Sequence, residues 1–312
     1  MEIMWPLIIF TFFLCLASGT FLWQGVLTVK GKGKKMQLVS MIVSLVCFGI
    51  GGLGVLFHLA SPLRIFNGFG HITSGITQEV IAMVIVCLAI VVFFLMWFRS
   101  EDRCAPVWCG WMAIVTSILM IVVMAHSYWM ASVPVWNNIV YILFFLANML
   151  AAGILSSNVI ARFTKCEDGA EFLKKFAFWL VVIYAVIVVV YAVYLVILGN
   201  TSFSEIGFYF DPTLPDIHMT EAGKTMTSIF AGSYAPLFWL GVVVIGLVAP
   251  LALAFVAKKG GVKIKAAGEK AVAGILSNEK VTYLAALICL LIGGVCWRVI
   301  LYMTALHVFA IF

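Results

Sequence analysis

Few side chains in this sequence can exchange a proton or hold a charge: 10% of its 312 residues are charged, and five are histidine. Among them, His58, Arg64 and Glu79 have types and spacing that fit proton chemistry. Imidazole titrates near neutral pH and can take or give a proton. A carboxylate in low dielectric binds a proton more readily than in water. An arginine can orient a carbonyl oxygen or hold the carboxylate. Together they suit removal of two protons from a neutral amphipathic molecule, as quinol oxidation requires, in a pocket reached from lipid. Arg298, with Tyr302 one turn on, is a further pair. The structural alternative is that His58 hydrogen-bonds a helix end while Arg64 and Glu79 form an interfacial ion pair. On these residues alone, quinone redox, small-molecule transport and passive anchoring all stay open.

The elements that must position these groups follow from composition. The chain is 64% hydrophobic, against roughly 45–50% for a soluble domain, which excludes a soluble core and disorder alike. In lipid the backbone must satisfy itself as helices or a closed barrel. Unbroken apolar runs of about twenty residues or more select helices. Eight spans are expected: Trp5–Val29, Gln37–Leu59, Glu79–Phe98, Pro106–Met130, Trp136–Arg162, Phe172–Leu198, Tyr234–Val256 and Thr282–Val308. The expectation is therefore an all-α polytopic membrane protein forming a single domain over 1–312. The N-terminus lacks a basic region, and the first run is too long for a cleaved signal. His58 and Glu79 then stand at the same mouth of two antiparallel neighbours.

Sixteen of the nineteen Lys and Arg fall in the odd-numbered connections. By the positive-inside rule those face the cytoplasm, which places both termini outside and all five histidines toward the outer face. The net charge of +6 is accounted for by this bias and by anionic lipid, without invoking nucleic acid. The longest outer connection, Gly199–Ser233, carries Glu205, Asp211, Asp216 and Glu221 against Lys224. It reads as a cap over helix ends or as a docking surface for a partner. Trp5, Tyr128, Trp129, Trp136, Tyr209 and Tyr234 read as an interfacial aromatic belt, with ring stacking by Tyr128 or Trp136 as the lesser alternative. The eight cysteines form no C-x-x-C and no ferredoxin or zinc spacing, so no metal or iron–sulfur cluster is expected on this chain. A histidine-ligated haem pair spanning the bilayer would need inner-half ligands that are absent. A single outer haem between two of His58, His126 and His307 stays open.

The stretch His58-Leu59-Ala60-Ser61-Pro62-Leu63-Arg64-Ile65-Phe66-Asn67 resembles the H-L-G-S-P-x-R-x-F-N signature of the membrane-anchor subunit of dimethyl sulfoxide reductase. Trp5-Pro6-Leu7-Ile8-Ile9-Phe10-Thr11 resembles that family's opening. Ser74 and Glu79 match a serine and a glutamate at the start of its third span, and Val133-Pro134-Val135-Trp136 matches a V-P-x-W between the fourth and fifth. Arg298, Tyr302 and His307 follow its last-span pattern more loosely. The resemblance implies an anchor without haem or cluster of its own. It would oxidise menaquinol near the outer face of the cytoplasmic membrane. The electrons would pass to a ferredoxin-like subunit with four [4Fe–4S] clusters and on to a molybdenum bis-pterin catalytic subunit. It implies His58, Ser61, Arg64, Asn67, Ser74, Glu79, Arg298 and Tyr302 as the quinol site, with His58 and Glu79 in the acid–base roles. The chain departs from the pattern at Ala60, where glycine is usual, at Gln78 for asparagine, and at Gly294, where a glutamate usually precedes the last-span arginine by four residues.

Overall fold

The computed structural model describes residues 3–58, 70–130, 133–199, 203–208, 219–224, 228–259 and 278–305, with backbone only at 58, 203–208 and 219–224. Among the described residues, eight stretches of helix are long and apolar enough to cross a membrane. They are α1 (Trp5–Val29), α2 (Gln37–His58), α3 (Gly75–Arg99), α4 (Val107–Ser127), α5 (Ile139–Phe163), α6 (Glu167–Gly199), a seventh span over Gly232–Lys258 that ends in α7 (Ala249–Lys258), and α8 (Glu279–Met303). The all-α membrane fold is thus the one expected. Leu53, Leu88, Val115, Trp179, Val186 and Leu240 each stand more than half exposed, a surface suited to hydrocarbon and not to water.

Local chemistry sets several helix ends. Pro6 opens α1, where its missing N–H would have had no partner. Asn138 caps α5, its Oδ1 accepting from the Tyr141 N–H at 2.9 Å. The fifth span therefore begins at Ile139 and not at Trp136, because the Val133–Trp136 stretch is irregular and turns back into the protein. In the seventh span Leu237–Val248 is wound as a π-helix ahead of Pro250. A proline there removes an i→i−4 bond and crowds the Gly246 carbonyl, so the preceding turns widen.

The helices form two groups of four. In the first, α1 packs on α2 and α4, and α3 on α4; in the second, α5 packs on α6 and α8, and the seventh span on α6 and α8. The groups meet where α1 crosses α5, the two most enclosed helices. At the crossing Gly19 and Gly153 touch backbone to backbone, and a Cβ on either would overlap the other. Close approach through small residues is how membrane helices gain contact when lipid offers no hydrophobic drive.

At the Lys- and Arg-rich end of the bundle, Glu279 binds Arg162 at 2.7 Å and Lys174 at 2.5 Å, tying α5, α6 and α8 together. The Gly199–Ser233 connection contains a feature the sequence reading lacked, an antiparallel pair of strands. β1 (Phe203–Phe208) runs against β2 (Met219–Lys224), with Phe203 opposite Lys224 and Phe208 opposite Met219.

Candidate functional site

At the other end of the bundle, α3 begins and α4 ends side by side. Ser74 is the N-cap residue of α3. Gly75 lies against Ser127, the last residue of α4, close enough that a Cβ at Gly75 would sit 2.9 Å from the serine Cβ. This approach brings the Ser127 hydroxyl onto Glu79, one turn into α3. Ser127 Oγ hydrogen-bonds Glu79 Oε1 and lies 2.8 Å from the Met124 carbonyl. Glu79 is buried, at 6% exposure. A carboxyl so placed is costly within a membrane protein, which makes it a candidate functional group.

Glu79 opens onto a cavity of about 410 Å³. Met4, just before α1, Leu7 of α1, Val55 of α2, Ser74 and Ile76 supply its apolar and small walls, together with Ser127, Tyr128 and Trp136. The volume falls within the range of small-molecule sites, and an apolar lining with a few converging polar groups is their usual character. A second cavity, of about 440 Å³, surrounds Arg162, Lys174 and Glu279 at the far end, where these three charges are already paired.

The wall at Trp136 is held from the second helix group. Trp136 Nε1 donates to the Leu301 carbonyl of α8 at 3.3 Å. Tyr191 and Tyr194 of α6 donate to the carbonyls of Val135 and Pro134 at 2.7 and 2.9 Å. Tyr128 and Trp136 are buried and lie edge to face at 5.6 Å. They are cavity and core residues, which corrects the reading of them as an aromatic belt. Trp5 and Trp129 keep the exposure a belt requires.

Arg298 does not line the cavity. It is fully buried in the core between α1, α5 and α8. Its guanidinium donates to Thr11 Oγ1 at 3.1 Å, to Asn148 Oδ1 at 2.9 Å and to the Gly294 carbonyl at 3.0 Å. Its partners among the described residues are all neutral, and Phe144 and Phe145 turn ring faces toward it at 5.6 and 5.3 Å. At Gly294, where the resemblance leads one to expect a glutamate, a Cβ would lie 3.2 Å from the guanidinium and 3.6 Å from the Asn148 amide. The Asn148 side chain takes up that space. Tyr302 stands between the two regions: its hydroxyl is 3.5 Å from Thr11 Oγ1, and its ring packs on Trp136 at 5.5 Å and Tyr128 at 6.2 Å.

Of the eight expected site residues, the structure brings Ser74 and Glu79 together at the cavity and sets Tyr302 against its wall, with Arg298 one layer deeper. The backbone of His58 ends α2, one turn beyond the cavity residue Val55. Ser61, Arg64 and Asn67 lie outside the described residues. Sequence reasoning missed Ser127, whose one available signal is its depth at the end of the fourth span.

Residues 1–207 match the family described as the DMSO reductase anchor subunit (DmsC). The chain belongs to this family. The matched region holds α1 to α6 and with them Glu79, Ser127 and Trp136; Arg298 and Tyr302 lie beyond it. Among curated proteins, this anchor is 27% identical over 165 residues to YnfH, a chain of the anaerobic dimethyl sulfoxide reductase of Escherichia coli, covering 50% of this chain and 57% of that one. It is 30% identical over 141 residues to the C subunit of the anaerobic dimethyl sulfoxide reductase of Haemophilus influenzae, covering 43% of this anchor and 50% of that subunit. The chain spans about half the length of the curated relatives it matches. Among solved structures, the bd oxidase from Geobacillus thermodenitrificans overlays with a TM-score of 0.46 at 13% identity, over 98% of this anchor and 92% of that protein, a likeness too loose to bear on function.

Proposed function

We propose that this anchor oxidises menaquinol in the Glu79 cavity and hands the electrons to an iron–sulfur subunit of a molybdenum-dependent reductase in anaerobic respiration. The observation that carries the reading is a buried carboxyl on a cavity of about 410 Å³ at one end of the helix bundle, in a chain of an anchor family. Oxidising a quinol releases two protons and two electrons. In this reading His58 takes the first proton, and Glu79 takes the second or orients the ring. Arg64 fixes a quinol oxygen, with Ser61, Asn67 and Ser74 around it. The electrons leave one at a time to a ferredoxin-like subunit with four [4Fe–4S] clusters, which feeds a molybdenum bis-pterin subunit. In this reading the anchor lies in the cytoplasmic membrane with that partner on the outer face, an orientation that the charge bias of the connections supports.

The test is oxidation of a menaquinol analogue by the assembled complex. Glu79→Gln and His58→Ala should each lower turnover by about 10²–10⁴-fold, the usual cost of removing one acid–base group, while the complex stays assembled. Full quinol oxidation in both variants would remove His58 and Glu79 from the chemistry, and a wild-type complex that oxidises no quinol would leave a passive anchor or a transporter as the better reading.

A further inference from the structure

The Ser127 hydroxyl has more neighbours than its proton can serve. Its oxygen is bonded to Glu79 Oε1 and stands 2.8 Å from the Met124 carbonyl. A serine hydroxyl carries one proton and can accept two bonds, whereas a backbone carbonyl can only accept. Two proton arrangements therefore fit the same heavy atoms. With Glu79 ionised, Ser127 donates to the carboxylate. With Glu79 protonated, the acid donates to Ser127 Oγ, and the serine proton swings to the Met124 carbonyl. In both arrangements Glu79 and Ser127 satisfy each other, and the change needs only rotation about one C–O bond. The cavity residues Met4, just before α1, Leu7 of α1 and Val55 of α2 have no proton to exchange. The titratable neighbours among the described side chains are Tyr128 after α4 and Tyr302 of α8, both within electrostatic reach of Glu79, and the quinol reading adds His58, whose backbone ends α2.

We propose that Ser127 is a positioning residue whose hydroxyl switches between Glu79 and the Met124 carbonyl, so that Glu79 receives and releases a proton without moving. The proposal rests on the quinol reading above and adds to it the means by which a buried carboxyl is kept solvated in both charge states. Both quinol O–H bonds break: one proton passes to His58, the other forms an O–H bond on Glu79 and is later released to solvent, and the two electrons leave one at a time to the iron–sulfur acceptor of the partner. Ser127 neither gains nor loses a proton over the cycle.

The experiment compares S127A, S127T and E79Q in the assembled complex, by steady-state oxidation of a menaquinol analogue and by infrared difference spectroscopy. The carboxylic C=O band that disappears in E79Q identifies protonated Glu79. S127A should lower kcat about 10- to 100-fold, as expected for loss of a hydrogen bond to a charged group, with KM changed less than about twofold. It should also move the Glu79 band to the frequency of a carboxyl with fewer bonds. S127T, which keeps the hydroxyl, should restore both. Wild-type kcat and an unmoved band in S127A would overturn the switch while leaving the quinol reading intact. Unimpaired quinol oxidation in E79Q would instead remove Glu79 from the quinol reading, and the switch with it. Should S127A fail to assemble, S127C carries the same comparison, because a thiol is a weak donor and acceptor.

Discussion

The least expected residue is Arg298, a full positive charge held in the core by neutral groups. An isolated ion in low dielectric is expensive unless hydrogen-bonded on every side. Here a threonine, an asparagine, a helix carbonyl and aromatic faces share the task. Asn148 supplies the shortest of these bonds, so Asn148→Leu should destabilise the protein by about 1.5–3 kcal/mol, the worth of a hydrogen bond to a charged group. Thermal unfolding in detergent measures this. Glu79 was legible in the sequence because a rare ionisable group stands at a helix start, whereas Ser74 was reached only through the family resemblance. Ser127 was not legible. A serine at the end of an apolar helix has no periodicity or motif to mark it, and its role exists only once α3 and α4 pack. Tyr128 and Trp136 misled for a related reason: interfacial depth is shared by belt residues and by the walls of a cavity at that depth, and only tertiary contact separates them.

For the helices, sequence reasoning succeeded wherever length and apolarity decide the matter, which is the case for all eight spans. It set the start of α5 at Trp136, ahead of Ile139, because that ring is apolar, yet Trp136 lies in an irregular segment pinned by Tyr191 and Tyr194. It could not foresee the π-helical Leu237–Val248, since proline forecasts a disturbance but not its form. The crossing of α1 and α5 is the contact most sensitive to volume. Gly153→Leu would force a side chain into the Gly19 backbone. Overpacking of a tight core costs about 1–3 kcal/mol where neighbours can yield, and here the neighbour is main chain. The expected outcome is loss of folded protein from the membrane fraction, read by size-exclusion chromatography. Gly49→Leu, with open space where its Cβ would stand, should be tolerated.

On the scale of the whole molecule, the lysines and arginines among the described residues, Lys224 and Arg298 apart, gather at one end and the Glu79 cavity opens at the other. If the odd connections lie in the cytoplasm, as their charge bias predicts, a reporter fused after Phe312 should be active only on the outer side. Protons from quinol would then leave on the side where the electrons exit, so no charge crosses the bilayer. Turnover in sealed vesicles with an external acceptor should leave a potential-sensitive dye unchanged, and a potential that collapses with ionophore would overturn this one-sided arrangement. The anchoring of Trp136 to Leu301 and of its flanking residues to Tyr191 and Tyr194 also bears on biosynthesis. A ribosome delivers α1 to α4 first, and with them the floor residues of the cavity and Glu79 itself. The wall, however, is fastened by α6 and by α8, which leave the translocon later. A nascent chain halted before α8 carries Glu79 but not the fastened wall, so in the quinol reading quinol would meet a competent site only once α8 has docked.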